Sequence, residues 1–247
     1  MHLGKKYPLG ICDLKGILAR MSTHVDEIIR ARRKTISIQI HADGKVIVRA
    51  PLRAPMRDIT AFVESKSAWI NEKRALMLQR AASKPVRQFT SGEKFWFLGA
   101  QIPLRVVEKQ RVTLVLKDEF LLASQAQDRA PEIFEAWYKV HALKVISERV
   151  LVLAAQHGYQ FEKIRITSAR TRWGSCSSRG TLSFTWRLVM APLEAVDYVV
   201  IHELTHLKIK NHSPVFWAEV ARLMPSYKRG HDWLKKNGHL LTISGEA

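Results

Sequence analysis

We predict an α+β fold because the chain carries both strand-like and helical segments, and three observations support this class. A β-hairpin pattern occupies residues 35–51, short strand-like runs fill residues 91–124, and helical periodicity dominates residues 131–157. The chain of 247 residues is long enough for one large domain or two small ones.

The beginning of the chain changes character near Thr35. Residues 1–34 show no clean period, so we predict an N-terminal extension with a helical part. From Thr35 onward, isoleucines and then valines alternate on the two sides of Asp43 and Gly44. This pattern predicts a β-hairpin with a tight turn at that pair.

A helix and a second group of strands should follow the hairpin. Apolar residues recur at helical intervals over residues 56–82, which predicts one long helix. Short strand-like runs come next, and the composition turns polar near Asp128. We therefore predict a mixed, β-rich N-terminal region over residues 35–127 and a second domain over residues 128–247.

The second domain should begin with a helix that Pro131 opens and Gly158 ends. A strand and a second hairpin follow, and apolar residues alternate along the second strand of that hairpin. Pro192 can then start a helix whose apolar residues keep helical spacing up to Leu204.

Composition and charge narrow the classes of function. Lys and Arg number 40 against 22 Asp and Glu, so the formal net charge is +18. Such a charge attracts polyanions, and nucleic acid is therefore a candidate partner through a basic surface, although a solvated basic surface explains the charge equally well. No run of apolar residues is long enough for a spanning helix, and no signal peptide is recognisable. We expect a cytoplasmic protein without a membrane partner.

The pentad His202-Glu203-Leu204-Thr205-His206 suggests a metal site. Residues four apart lie on one face of a helix, so His202 and His206 can direct ring nitrogens at a common point. A third histidine, His212, lies ten residues beyond His202, about 15 Å along the axis if the helix continued. The chain must therefore bend between His206 and His212 for all three to share one ion.

The sequence contains residues suited to that bend. Asn211 tolerates the left-handed conformation that ends many helices, Ser213 is a good N-cap, and Pro214 suits the first position of a new helix. Three neutral imidazoles leave one position of a tetrahedral Zn²⁺ site for water. Glu203 is adjacent to the first ligand and can take a proton from that water as it attacks a peptide carbonyl.

Long motifs around this site resemble those of the YgjP-like metallopeptidase family, which is related to the SprT-like and other zincin peptidases. The resemblance is carried by "RTRWGSCSSRGTLSFTWRLVMAPLEAVDYVVIHELTHLKIKNHSPVFW" and, in the N-terminal half, by "DGKVIVRAPL" and "SGEKFWFLGAQIPLRV". It implies a zincin-like catalytic core in which His202, His206 and His212 hold Zn²⁺ and Glu203 is the base. Peptides or proteins would be the substrates.

Two other families share the histidine spacing but resemble the chain less. Metzincins place glycine where this chain has Ile209 and follow with a Met-turn, for which Met224 with Pro225 is a poor match. Bacterial three-histidine endoribonucleases lack a glutamate after the first histidine, so Glu203 separates them from this chain. The alternative function is a nucleic-acid-associated hydrolase, either a nuclease or a tethered protease, that uses the same metal site.

Several other side chains are candidates for supporting roles. We expect Phe216 and Trp217 to pack behind the metal, and we consider the hairpin before the metal-binding helix as a substrate-binding edge. The substrate could contact Arg172, Trp173 and Ser175; the competing explanation is that these side chains are packed or solvated. An oxyanion could be stabilised by Tyr227, Arg229 and His231; the competing explanation is a purely structural role. The candidate hydrogen-bond partners for the second ring nitrogen of a ligand histidine are Glu194, Asp197, Glu219 and Asp232.

Overall fold

A computed structural model describes residues 25–243 and divides the chain into two compact units, with the division between Lys84 and Pro85. The sequence predicted a boundary near Asp128 instead. The difference arises because strands before that point share a core with the long helix after it. Within that core, the Phe95 and Phe134 rings stack with their centroids 4.4 Å apart.

The N-terminal unit contains a three-stranded sheet in the order β1-β3-β2. Its strands are β1 (Glu27–Ala31), β2 (Ser37–Ile40) and β3 (Val46–Pro51). β2 and β3 form the predicted antiparallel hairpin. β1 lies parallel to β3, although the sequence placed its residues in an extension with a helical part. The rest of that predicted extension, residues 1–24, lies outside the described residues.

Two helices, α1 (Met56–Ser65) and α2 (Ser67–Ala82), replace the single long helix that the sequence predicted. Lys66 separates them, since its backbone has φ −111° and ψ 7°, outside helical values. Ile59 and Val63 of α1 are buried together with the inward side chains of β3, which gives this unit a small core. Such a core follows from the alternation of strand side chains and the helical spacing of apolar residues.

The C-terminal unit begins with a four-stranded sheet in the order β4-β5-β7-β6. Its strands are β4 (Lys94–Phe97), β5 (Ala100–Val107), β6 (Leu114–Leu116) and β7 (Phe120–Ala123). The 28-residue helix α3 (Ala130–His157) packs on them and ends at Gly158, whose φ of 66° is easily adopted only by glycine. The Tyr138 hydroxyl donates to the Trp96 carbonyl at 2.6 Å and connects helix to sheet.

A second sheet of this unit has the order β8-β10-β9, so β9 lies at an edge. Its strands are β8 (Lys163–Thr167), β9 (Gly174–Cys176) and β10 (Thr181–Thr185). β9 and β10 pair antiparallel as the predicted hairpin, and β10 pairs parallel with β8. β9 is therefore paired on one side only.

Three helices complete the C-terminal unit: α4 (Leu193–Thr205), α5 (Pro214–Leu223) and α6 (Tyr227–Asn237). α4 is buried on most sides, and a bidentate ion pair attaches it to α3. In that pair, Arg149 Nε and Nη2 donate to the Asp197 carboxylate at 2.6 and 2.9 Å. The mixed sheets and helices make the protein α+β. Among residues 25–243, no helix combines the length and hydropathy needed to cross a membrane.

Candidate metal centre

The three predicted ligand histidines come together at the end of α4. His202 lies in the last turn of the helix, His206 is its C-cap residue, and His212 lies in the loop before α5. Nε2 of His212 is 3.0 Å from Nε2 of His202 and 3.1 Å from Nε2 of His206. Three nitrogens bound to one tetrahedral Zn²⁺ at about 2.0–2.1 Å would be separated by about 3.3 Å. The observed spacing fits such an ion.

The bend that returns His212 does not use the predicted left-handed Asn211. Within residues 25–243, the non-glycine residues with positive φ are Phe89 and Leu98. α4 instead ends through tightened backbone bonds, including Leu207 N to Leu204 O at 3.0 Å. Asn211 contributes differently, because its Oδ1 accepts from Ser213 N at 3.3 Å and stabilises the loop before the next helix.

The start of α5 agrees with the sequence prediction. Ser213 is the N-cap residue and Pro214 occupies the first turn, although the Ser213 side chain makes no capping hydrogen bond. Proline fits there because the first backbone N–H groups of a helix have no partner within it. The loop and this new helix together set the position of His212.

The ring orientation of His206 follows from one hydrogen bond. Its Nδ1 lies 2.9 Å from the carbonyl oxygen of Ile209. A carbonyl only accepts, so Nδ1 carries the hydrogen and Nε2 keeps the lone pair that a metal requires. Burial also lowers the pKa of His206, which favours the neutral form of the ring.

His202 is also electronically suited to bind a cation. Burial, reinforced by His206, His212 and His231 nearby, lowers the pKa of His202 to about 3. The ring is therefore neutral over the whole physiological range, and the residues present fit a divalent metal that prefers imidazole nitrogen.

Glu203 lies beside the histidines and is nearly inaccessible, with 4% of its surface exposed. Burial raises the pKa of this carboxyl group to about 8, an effect that the nearby charge of Arg172 opposes. A carboxylate in so apolar a setting accepts a proton far more readily than an exposed glutamate does.

Strand β9 lies directly against this carboxyl group. A Cβ atom added at Gly174 would be 2.5 Å from Oε1 and 2.6 Å from Cγ of Glu203, closer than real contacts allow. Glycine is therefore required at this position for the strand and the carboxyl group to approach each other as they do.

Comparison with known proteins identifies the family. The model of the YgjP-like metallopeptidase domain matches residues 34–237, most of the chain. The chain belongs to the YgjP-like metallopeptidase family. Among solved structures, the metallopeptidase zymogen of Pyrococcus abyssi abylysin is 25% identical; the match covers 40% of this chain and 99% of that chain, with a TM-score of 0.36. A search of curated proteins gave no match.

Aromatic rings surround the histidines of this YgjP-like domain. Phe216 is fully buried and its ring lies within 4.9 Å, centroid to centroid, of all three histidine rings. Trp217 stacks on His212 at 5.9 Å and is only partly buried. Phe216 thus packs behind the cluster as expected, while Trp217 also lines its side.

A tyrosine that the sequence interpretation missed lies beneath His202. The centroid of the Tyr198 ring is 6.0 Å from that of His202 and 5.7 Å from that of His231. Burial raises the pKa of Tyr198 to about 12, so the hydroxyl keeps its proton. Its position four residues before His202, on the same helix face, was the available signal.

The remaining supporting candidates of the YgjP-like domain have identifiable neighbours. Tyr227 stacks between Trp217 and Tyr198, with centroids 5.9 and 6.3 Å away. His231 Nδ1 lies 2.8 Å from the Asp232 carboxylate. Trp173 packs against the core, where a Cβ at Gly238 would approach its ring to 2.6 Å.

Three of the four carboxylates proposed to orient a ligand histidine are engaged elsewhere. Asp197 pairs with Arg149, Glu219 accepts from Tyr159 and Arg222, and Asp232 lies against His231. Nδ1 of His202 is buried and has no hydrogen-bond partner in the described part of the chain. Packing against Phe216 and Tyr198 therefore holds this ring in place, in contrast to the hydrogen bond that holds His206.

Proposed function

We propose that the protein is a Zn²⁺-dependent peptidase of zincin-like fold, with His202, His206 and His212 as metal ligands and Glu203 as general base. The observation that carries this proposal is the convergence of the three Nε2 atoms beside a buried carboxyl group. A bound divalent metal would supply Lewis-acid polarisation of water and of the substrate carbonyl.

The residues of the chain have separate tasks in this reaction. The histidines bind the metal as neutral ligands, and Glu203 takes a proton from the attacking water as the oxygen bonds to the carbonyl carbon. Glu203 then delivers that proton to the amide nitrogen as the C–N bond breaks. Burial of Glu203 suits both steps, since its raised pKa lies near neutrality.

The free edge of β9 is the proposed binding site for an extended peptide. Thr185 N donates to Trp173 O, and Ser177 N donates to Thr181 O. Alternate residues of an antiparallel strand face their partner, so Gly174 and Cys176 direct their backbone groups away from β10. These groups can pair with a substrate backbone next to Glu203.

The test compares wild type with Glu203→Gln in a peptide-library digest, with elemental analysis of both purified proteins. We expect the substitution to lower kcat by about 10³-fold or more while metal content and thermal stability stay close to wild type. Glu219→Gln is the matched control, because that carboxylate bonds to Arg222 and Tyr159 instead. Wild-type cleavage by Glu203→Gln would contradict the proposed mechanism.

A second candidate is tethering of the hydrolase to nucleic acid, and the N-terminal unit contains the observation that favours it. Ala31 pairs with Pro51 in parallel strands, so the segments after β1 and β3 leave the same end of the sheet. Arg30 Nη1 donates to the Ala54 carbonyl at 2.8 Å and holds the second segment there. The cations in these segments and at the start of α1 are Arg32, Arg33, Lys34, Arg53 and Arg57.

The test of tethering is binding of single-stranded RNA by the full chain over a series of salt concentrations. Phosphate contacts predict a steep loss of affinity as salt rises. Reversing the charge of Arg32 and Arg53 together should weaken binding, whereas reversing Lys73, on α2, should not. Shallow salt dependence in the wild type would remove this candidate. A cytoplasmic location stays a prediction from the sequence.

A further inference from the structure

Two cations flank the strand that lies over Glu203. Arg172 is two residues before Gly174, so its Cα is at most about 7–8 Å from that of Gly174. Gly174 in turn contacts the Glu203 carboxyl group, so close that it has no room for a Cβ. The backbone of Arg172 therefore lies near the proposed general base, and its side chain is exposed. The positive charge of Arg172 opposes the rise that burial causes in the pKa of Glu203.

Lys210 lies in the segment between α4 and α5. This segment runs close to the turn of the β9–β10 hairpin, since a Cβ atom added at Gly180 would be 3.6 Å from Leu207 Cδ2. Lys210 directly follows Ile209, whose carbonyl accepts the hydrogen bond from His206. Its charge acts both on His206 and on the thiol of Cys176, the last residue of β9. A peptide along β9 would thus pass one cation near each end of the strand, with the proposed reaction centre between them.

Both cations are accessible to a ligand. Arg172 and Lys210 are exposed and form no ion pair within the described range, residues 25–243. Glu219 of α5 pairs with Arg222 instead, and the Asp232 carboxylate of α6 lies against His231. Two positive charges beside the proposed reaction centre are therefore available to a ligand.

We propose that Arg172 and Lys210 select peptides that carry acidic side chains on both sides of the scissile bond. The inference rests on the proposed peptidase function and adds the class of substrate. A phosphodiester would also suit two cations. A peptide fits better because the free backbone groups of Gly174 and Cys176 match another extended polypeptide, and nucleic acid lacks such a backbone.

The preference for acidic peptides should be modest, because Arg172 and Lys210 are exposed to solvent. Exposed ion pairs contribute little, so each acidic residue should raise kcat/KM by roughly two- to fivefold over a neutral one. A lysine at the same position should lower kcat/KM by a similar factor, since like charges repel. Glu against Lys at one position should therefore differ by roughly tenfold.

The experiment measures kcat/KM for matched fluorogenic peptides that differ only in Glu, Gln or Lys at one position before or after the scissile bond. Wild type should prefer Glu to Gln and Gln to Lys on both sides. Arg172→Glu should reverse this preference on one side of the bond, and Lys210→Glu should reverse it on the other. Misfolding cannot produce such a reversal, because it lowers activity on every peptide alike.

Arg179→Glu is the matched control, since Arg179 is an exposed cation in the turn of the same hairpin. It should keep the wild-type preference. Two results would overturn the inference and leave the proposed function standing: Glu203-dependent cleavage without charge preference, or an Arg179→Glu effect equal to that of Arg172→Glu. If no peptide is cleaved in a Glu203-dependent way, the charge selection and the proposed peptidase function are both wrong. Metal-dependent cleavage of a single-stranded DNA oligonucleotide alone would also reject a peptide substrate.

Discussion

The candidate metal site contains two regions that differ in how the protein holds their side chains. Its floor consists of His202, Glu203 and Phe216, which are fixed by close packing and have few hydrogen bonds. Its rim consists of Arg172 and Lys210, which are exposed and form no ion pair in the part of the chain that the structure describes. The rim charges would interact with a ligand through solvent, whereas the floor side chains would contact it directly.

This difference predicts how large the effect of a substitution will be. Packed groups at a reaction centre have one allowed arrangement, so small changes of shape produce large losses. Exposed charges interact through a high dielectric and are screened by salt, so their effects are small and depend on conditions. Substitutions in the floor should abolish peptidase activity, whereas substitutions in the rim should change which peptides are preferred.

The largest effect is expected for His202→Ala. It removes one of three proposed ligands, and we expect metal content measured by elemental analysis to fall well below one ion per chain. Peptidase activity should fall by about 10³-fold or more, since both water activation and carbonyl polarisation depend on the ion.

His41→Ala is the control for this variant, because His41 is an exposed histidine of the N-terminal unit. Its metal content and activity should equal those of wild type. Full metal content in His202→Ala would contradict the proposed ligand set, and loss of metal in His41→Ala would point to a different site.

The next largest effect is expected for Gly174→Ala. The added methyl group would meet the Glu203 carboxyl group at 2.5 Å, so either β9 or the proposed base must move. A displacement of this size at a reacting group costs about 10–10² in rate. We expect kcat to fall while metal content stays at the wild-type level, which separates this effect from loss of a ligand.

A double-mutant cycle identifies the cause of that loss. Glu203→Ala removes Cγ, Cδ and Oε1, the three atoms that the added methyl group would meet. In the free energy of unfolding, measured by urea denaturation, Gly174→Ala should then cost less in the Glu203→Ala protein than in wild type. Additive effects would mean that the methyl group acts through the strand and not through the carboxyl group.

The sequence could predict the parts of the site that depend on local spacing. His202 and His206 share a helix face because the period is fixed, and Ser213 with Pro214 started α5 as expected. The bend itself was predicted for the wrong reason, because backbone bonds and not a left-handed Asn211 end α4. Local patterns thus predicted where the chain turns better than how it turns.

Features that depend on distant pairing were not predictable in the same way. The parallel alignment of β1 with β3 and the packing of Phe95 on Phe134 join segments far apart in sequence. The break at Lys66 has no glycine or proline to mark it. The partners of Asp197 and Glu219 likewise come from the three-dimensional contacts of α3 and α5, so composition gave no basis for choosing among four carboxylates.

A moderate effect on stability is expected at the Arg149–Asp197 pair, which joins α3 to α4. The two side chains are 24% and 19% exposed, between the conditions of a surface pair and a buried pair. Arg149→Met should therefore lower the free energy of unfolding by about 1–3 kcal/mol, measured by urea denaturation. Adding Asp197→Leu should recover part of that loss, because no unpaired carboxylate then remains. A double variant less stable than Arg149→Met would show that the pair does more than neutralise Asp197.

The smallest effect is expected from salt, and it concerns the rim alone. Between about 0.1 M and 1 M salt the screening length falls from about 10 Å to about 3 Å. Cleavage of a peptide with acidic residues should slow by no more than roughly fivefold, while cleavage of its neutral counterpart should change little. Arg172→Gln should lose part of this salt dependence because one of the two rim charges is gone. Equal salt dependence for the acidic and the neutral peptide would mean that the rim does not contact substrate, and the floor alone would then determine the rate.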